Sequence, residues 1–243
     1  MLLYATAWRV FKANFAAMVI MALAIACSEA LLGYGPHVVV IILLHGCFSF
    51  LVHRSALLGD AQSNETGHSE DVDDLKLTSV WRFGWRGIAF CAFVGVLILA
   101  VSLLLYAVIY LSPVNDLTIA LLWSGAGLVI LMILYLLAFF GTVFPASVRG
   151  GNTKLGVAFR RGQATFWTTL ARFLIGPGLW MIYGIALLNL GFDLIPDALK
   201  SLAMVDLAVS AASSMVGLMN TLLVAVILSL AYQETENSRV AAE

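Results

Sequence analysis

Histidine 45 is the residue of this chain with the clearest potential for chemistry, because it stands within the apolar run Val38–Cys47. Ionisable side chains at membrane depth are costly and often functional. Two interpretations are open. In the first, His45 is a structural residue whose ring forms a hydrogen bond with a neighbouring helix. In the second, it relays protons or binds a ligand. Use of His45 by an intramembrane enzyme is a third hypothesis.

Three further polar residues lie in or beside apolar runs. Glu29 and His37 flank the turn residues Gly33–Pro36, and we expect them to pair near the membrane surface. A helical hairpin around this turn places Glu29 and His45 at different depths, so we expect no direct contact between them. Asn220 is the second intramembrane polar residue, and we expect it to bond across helices.

The remaining motifs of known chemistry are missing from the sequence. Cys27, Cys47 and Cys91 show no CxxC spacing and lie in apolar stretches, where they are typical packing residues. No glycine-rich phosphate loop, nucleophile elbow or paired catalytic carboxylate set occurs, and no nucleic-acid signature is present. The sequence therefore predicts a protein that is not an enzyme, with no catalytic residue, no metal, no cofactor and no nucleic-acid partner.

The elements that position these residues are membrane helices. The chain is 62% hydrophobic and 11% charged, whereas soluble domains carry about 25% charged residues. A membrane helix needs roughly 20 apolar residues. Six stretches meet this requirement, so we predict an all-α polytopic membrane protein, one membrane domain over 1–243. The predicted spans are about 13–32, 37–58, 87–111, 117–145, 169–190 and 203–231.

The distribution of charge predicts the orientation. Loops on the cytoplasmic side carry an excess of Lys and Arg. With both termini inside, every lysine and arginine except Lys200 falls on the cytoplasmic side. The opposite orientation would translocate nearly all of them. We therefore expect a multi-pass protein of the bacterial cytoplasmic membrane with cytoplasmic N- and C-termini.

An aromatic–arginine pair precedes an apolar run three times, at Trp8-Arg9, Trp81-Arg82 and Phe159-Arg160. Each pair begins one pair of predicted spans, which indicates an internal threefold repeat of helical hairpins. The units are about 1–58, 75–145 and 152–232. The acidic, polar stretch about 59–74 is typical of a mobile cytoplasmic loop that links the first two units.

The basic and aromatic residues of these three segments suit the membrane interface, where Trp rings and arginine meet headgroups. Topological anchoring explains them, but a lipid-headgroup site or docking of a protein partner uses the same residues. The candidate interface residues are Trp8, Arg9, Lys12, Trp81, Arg82, Trp85, Arg86, Phe159, Arg160, Arg161 and Trp167.

The stretch Pro145–Trp167 carries a family resemblance. It reads Pro-Ala-Ser-Val-Arg-Gly-Gly, then Ala-Phe-Arg-Arg-Gly at 158–162, then Phe166-Trp167. This resembles the six-helix bacterial membrane families that include YciC and the membrane domain beside some glycerophosphoryl diester phosphodiesterases. The Tyr232-Gln233-Glu234 ending is also similar. The resemblance implies a six-helix architecture and no catalytic residues, and it leads us to expect serine at 162, where this chain has glycine.

Two functions are compatible with these patterns. The first is a non-enzymatic accessory, assembly or lipid-organising protein whose basic-aromatic face contacts membrane lipids or a membrane protein complex. The alternative is a small transporter or lipid-handling carrier with a polar site around His45, for which the glycine-flanked Pro177 predicts a broken or kinked helix. The substrate, the partner and the oligomeric state do not follow from the sequence.

Overall fold

The computed structural model describes residues 2–32, 34–58, 78–111, 116–200 and 202–240, and these residues form helices joined by short turns, with no strand among them. A π-helical turn, Leu174–Gly178, connects α6 to α7. The chain is thus all-α, as its composition predicts. The α-helices are α1 (Leu2–Leu32), α2 (Tyr34–Leu58), α3 (Thr78–Leu111), α4 (Asp116–Phe140), α5 (Val143–Val148), α6 (Leu155–Phe173), α7 (Leu179–Asp193), α8 (Asp197–Lys200) and α9 (Ala203–Val240).

The helices are long and apolar enough to make a polytopic membrane protein. In the part of the chain that the structure describes, five helices could cross a bilayer, and α4 adds the shorter apolar stretch Ser124–Phe140. Helix α4 as a whole, Asp116–Phe140, has 25 residues, as many as α2. Large apolar side chains stay exposed on α3, α4 and α7. Exposed apolar surfaces of this kind are favourable in the hydrocarbon core of a bilayer and unfavourable in water.

The long helices have two common ends, which we name by the residues found there. The hairpin end contains Leu32, Tyr34, Asp193 and Ala203, where α1 meets α2 and α7 approaches α9. The terminal end contains Leu2, Leu58, Leu155 and Val240. The helix α9 runs antiparallel to α1 and parallel to α2 between these two ends.

Helix α9 is the centre of the fold. It packs against α1, α2, α5, α6 and α7, and its residues Leu218, Leu222, Val226 and Ile227 are fully buried. Helices α1 and α2 complete this core through residues such as Val10, Met18, Phe48 and Val52. Because lipid tails are as apolar as these side chains, close packing and interhelical hydrogen bonds hold the core together.

Helices α3 and α4 lie at the edge of this core. They pack on each other, α3 also contacts α2 and α5, and α4 contacts α6. Gly125 is one reason for the close pairing, since a Cβ there would lie 2.6 Å from Cδ1 of Leu105. This hairpin leaves most of its surface to lipid.

The structure corrects one predicted boundary and defines the helix around Pro177. The predicted span 117–145 ends early, because Gly141 packs against Leu228 and begins a turn that leads into α5. Pro177 does not break its helix. Pro177 has no backbone N–H to donate, and the chain forms a π-helical turn around it. Helix α6, this turn and α7 form one continuous helical segment, Leu155–Asp193. The predicted loop 59–74 lies outside the described residues.

Candidate functional site

Two facing ridges of side chains connect α2 to α9. Residues four apart on a helix form a ridge, and ridges of this kind interdigitate when helices cross. The ridge on α2 carries three of the four histidines of the chain, and the ridge on α9 consists of small and hydroxyl-bearing residues. The α2 ridge is His37, Ile41, His45, Ser49 and His53, and the α9 ridge is Ser213, Gly217, Thr221, Ala225 and Ser229.

Histidine–hydroxyl contacts link the ridges in one register. His45 Nδ1 lies 2.8 Å from Thr221 Oγ1, and His53 Nδ1 lies 2.8 Å from Ser229 Oγ. Both contacts are eight residues apart on each helix, which fixes α2 and α9 as parallel neighbours. His45 thus has the interhelical hydrogen bond that the first interpretation predicts.

His53 is the most buried of the described histidines and has an aromatic surrounding. It is 1% exposed, and its ring lies 5.7 Å from the Phe83 ring and 6.5 Å from the Phe144 ring, centroid to centroid. The imidazole joins α2 to α9 and also meets α3 and α5. His53 therefore ties the peripheral hairpin to the core.

A cleft of about 850 Å³, lined by apolar side chains and by a set of polar ones, opens at the hairpin end between α1, α2 and α9. It extends from Glu29 and Asp206 to His45, near the middle of α2, and His37 lines it between these depths. Ser210, Ser213 and Ser214 supply hydroxyl groups from α9. The arrangement can hold a polar solute between two carboxylates and two imidazoles.

The predicted Glu29–His37 pair is replaced by two other contacts. Ser210 Oγ donates to Glu29 Oε2 across α1 and α9. His37 Nδ1 lies 2.8 Å from Ser28 Oγ. Glu29 and His45 are predicted to make no direct contact. Each bonds to a different hydroxyl group, Ser210 and Thr221, and both line the same cleft.

The other polar and thiol residues bring together no metal site. Asn220 is predicted to bond across helices, but its Oδ1 is buried without a hydrogen-bond partner in the described structure. The three cysteines are free and exposed on helix surfaces. Among the described residues, no group of three or more His, Cys, Asp or Glu is placed to hold a metal ion.

The predicted interface residues all lie at the terminal end, but they do not converge on one site. Trp8, Trp81, Trp85 and Trp167 are exposed, as is Phe159. The Lys12 Nζ lies 5.1 Å from the centre of the Trp8 ring. Exposed tryptophans near one end of a helical bundle are typical of an interfacial aromatic belt.

Four of the predicted arginines, Arg9, Arg86, Arg160 and Arg161, line clefts or grooves at this end. Arg9 lies with Arg149, Gln233, Glu234 and Asn237 along a cleft of about 720 Å³. Arg160 lies on the exposed side of α6, beside a smaller depression. Arg86 lines an apolar groove between α3, α4 and α5.

The apolar groove has a volume of about 470 Å³ and runs between α3, α4, α5 and the start of α6. Arg86 and Thr153 supply its polar groups. The Arg86 Nη2 donates to Thr153 Oγ1 at 2.5 Å, whereas its Nη1 is buried without a hydrogen-bond partner. Arg82 stands one turn away on α3, on the same side of the helix. The apolar lining is Ala89, Phe90, Phe93, Leu136, Phe140, Val143, Phe144 and Leu155.

Arg161 differs from its exposed neighbour Arg160, because its guanidinium is buried in the protein. Its Nε and Nη2 both donate to Glu236 Oε1, at 3.0 and 2.5 Å. Its Nη1 donates to the Asn152 carbonyl at 2.8 Å, and the group lies 4.9 Å from the centre of the Tyr232 ring. These contacts give Arg161 the role of holding α6 against α9.

The sequence reading overlooked His53 and the hydroxyl ridge of α9. A signal was present, since His37, His45 and His53 are spaced by eight, as are Ser213, Thr221 and Ser229. Eight residues is twice the four-residue step of a packing ridge. The repeated spacing on two separate helices would have indicated that these helices pack together.

No family model, curated protein or solved structure matches this chain. The resemblance carried by Pro145–Trp167 therefore stays a prediction. Two features of the molecule can bind a ligand, the apolar groove at Arg86 and the cleft at the hairpin end.

Proposed function

We propose that this protein binds anionic phospholipid at its terminal end and acts as a non-enzymatic lipid-organising or accessory component of the membrane. The buried Nη1 of Arg86 is the observation that supports this most directly. A buried N–H of a charged group without an acceptor is strongly unfavourable. A phosphate oxygen in the groove supplies the missing acceptor.

The groove suits the rest of a phospholipid as well. Phe90, Phe93, Phe140 and Phe144 give it an apolar wall, which matches an acyl chain. Arg82 adds a second positive charge one turn nearer to the terminal end, where the headgroup would lie. Exposed Trp81 and Trp85, on the same helix, favour the interfacial depth.

The proposal places the terminal end in the cytoplasm. Lysines and arginines are concentrated there, and the negative surface potential of the cytoplasmic leaflet attracts basic residues by about 1 kcal/mol each. An accessory or assembly role with a protein partner would use the same basic-aromatic surface. A bacterial inner-membrane location and membership of the six-helix family belong to this proposal.

Replacing Arg86 with methionine is expected to weaken retention of phosphatidylglycerol roughly tenfold, because a hydrogen bond to a charged group contributes about 1.5–3 kcal/mol. Native mass spectrometry of the protein released from nanodiscs, with and without phosphatidylglycerol, measures bound lipid. Ala89→Trp is a second variant that fills the groove without changing charge, and it is expected to lower retention of the same lipid.

Arg54→Met is the matched control, since Arg54 is an exposed arginine of α2 near the terminal end and does not line the groove. It is expected to retain lipid as the unaltered protein does. Equal lipid loss in Arg54→Met and Arg86→Met would mean that the total positive charge of this end retains the lipid. It would contradict a specific site at Arg86. Unchanged retention in Arg86→Met and Ala89→Trp would contradict the proposal itself.

A second candidate function, a small solute carrier, is favoured by the two clefts of the α1–α2–α9 core. The cleft at His45 and the cleft at Arg9 and Arg149 lie at opposite ends of the same three helices. A packed region that includes Phe48, Leu222 and Val226 separates them. A carrier would open this region in alternation from each side.

Ala225→Cys tests the carrier without knowledge of its substrate. Ala225 lies on the α9 ridge between the two clefts and is 1% exposed. In a protein whose native cysteines are replaced by alanine, a carrier is expected to expose Cys at 225 transiently. A membrane-impermeant methanethiosulfonate reagent should therefore label it in sealed vesicles, and a gel-shift assay measures the labelled fraction.

Ala138→Cys provides the matched control, because Ala138 is equally buried but lies on α4, away from the path between the clefts. It should stay unlabelled. Equal labelling at 138 and 225 would indicate general opening of the protein. Ser213→Cys, in the hairpin-end cleft, shows that the reagent reaches the protein. If it is labelled and Ala225→Cys is not, the carrier function is excluded.

A further inference from the structure

We infer that the hairpin-end cleft binds a small organic cation through ammonium N–H donors. The inference concerns the cleft of the second candidate function, and it holds whether or not the solute crosses the membrane. It is carried by the hydrogen-bond directions within the cleft, by its charged groups and by its size.

The direction of the bond at His37 leaves an acceptor on its ring. Ser28 has one hydroxyl hydrogen, and it donates this to the Ile25 carbonyl at 2.7 Å. The 2.8 Å contact between Ser28 Oγ and His37 Nδ1 must then have Nδ1 as its donor. A neutral imidazole protonated at Nδ1 has its lone pair on Nε2. His37 therefore offers an acceptor to a ligand.

The same reasoning applies deeper in the cleft at His45. Thr221 donates its hydroxyl hydrogen to the Gly217 carbonyl at 3.2 Å. In the tautomer that keeps this Thr221 bond, His45 Nδ1 donates to Thr221 Oγ1 across 2.8 Å, and its Nε2 is an acceptor. Gly217 leaves room beside this nitrogen, since a Cβ at 217 would lie 3.7 Å from it.

Charge favours the same class of ligand. Glu29 and Asp206 line the wider part of the cleft, and no lysine or arginine is among its described lining residues. Lys200, at the same end of the protein, has its Nζ 5.1 Å from the centre of the Phe192 ring and does not line the cleft. The cleft thus presents two carboxylates and two imidazole acceptors.

The geometry suits an organic cation better than a bare metal ion. Among the described residues no three metal-ligating side chains converge, and Ser210 already donates to Glu29. A volume of about 850 Å³ falls within the range typical of small-molecule sites. A ligand with several N–H donors can contact a carboxylate and an imidazole at separate points.

A four-carbon series distinguishes charge from size and tests the inference. We expect 1,4-diaminobutane to bind the purified full-length protein in nanodiscs, and butane-1,4-diol and succinate not to bind, in isothermal titration calorimetry. The double variant Glu29→Gln/Asp206→Asn is expected to bind the diamine at least about tenfold more weakly, since each charge-assisted contact is worth about one order of magnitude.

Asp193→Asn is the matched control, because it removes an exposed carboxylate at the hairpin end that does not line the cleft. It should bind the diamine as the unaltered protein does. Absence of diamine binding, or equal weakening in the control and the double variant, would overturn the cation assignment. Binding of succinate or the diol instead would overturn it while leaving a solute cleft in place. Labelling of Cys at 225 is independent of these results and reports on transport alone.

Discussion

Replacing Gly162 with leucine is expected to abolish the folded protein. Gly162 of α6 lies directly against the backbone of α4, where a Cβ would stand 2.5 Å from Phe139 Cα and 2.7 Å from its carbonyl carbon. Backbone atoms cannot rotate away as a side chain can, so α4 and α6 would have to separate. Overpacking alone costs about 1–3 kcal/mol, and separation adds the loss of the aromatic contacts between α4 and α6.

The contact at Gly162 supports a cluster of aromatic rings between α4 and α6. Phe139 stacks on Phe159 at 5.1 Å and lies 4.7 Å from Phe166, centroid to centroid. Tyr135 meets the Phe166 ring at 5.8 Å. Because these distances depend on the close approach of the two helices, Gly162→Leu removes several ring contacts together.

Gly156→Leu is the matched control for this prediction. Gly156 lies on the same helix, and nothing stands within 4 Å of a Cβ at that position. Size-exclusion chromatography in detergent and unfolding by SDS measure the fraction folded. The Gly156 variant should elute and unfold as the unaltered protein does. A Gly162→Leu protein as stable as the Gly156 variant would show that α4 and α6 do not approach as described.

Gly162 also gives a physical reason for a departure from the predicted pattern. The resemblance of Pro145–Trp167 predicts serine at 162, but a serine Cβ would meet the Phe139 backbone as any other Cβ does. We therefore expect Gly162→Ser to cost about 3 kcal/mol of unfolding free energy, at the upper end of typical overpacking. The requirement for glycine comes from α4, which is distant in sequence.

The sequence predicts those parts of the fold that depend on local composition. Each apolar run is long enough to cross hydrocarbon, so the helices of the predicted spans follow from length alone. Turn residues such as Pro36 mark where α1 and α2 reverse direction. Trp8, Trp81, Trp85 and Trp167 are exposed on helix surfaces, and their place at the membrane interface stays a prediction.

The features that the sequence did not reveal depend on partners far along the chain. His53 reads as an ordinary residue near the end of α2 until Ser229 and Phe83 are placed beside it. The local rule at Pro177 predicts a break or a kink, and it does not specify the π-helical turn that forms there. The cleft requires three helices to meet, so neither Glu29 nor Asp206 indicates it alone.

Arg161→Met is expected to lower the free energy of unfolding by about 2–3 kcal/mol. Removing one partner of a fully buried ion pair typically costs about 3–5 kcal/mol, and the lower figure applies because Glu236 remains 26% exposed whereas Arg161 is 8% exposed. The variant leaves both Glu236 and the Asn152 carbonyl without their donor. It also removes the cation from the Tyr232 ring.

The adjacent Arg160 makes this prediction specific to the pairing. Arg160 has the same charge on the same turn of α6 but is exposed, and an exposed substitution usually changes stability by no more than about 0.5 kcal/mol. Adding Glu236→Gln to Arg161→Met is expected to restore part of the loss, because it removes the unpaired carboxylate. SDS titration of the single and double variants measures the coupling between the two positions. A loss in Arg160→Met equal to that in Arg161→Met would mean that net charge, and not the link between α6 and α9, sets the stability of this end.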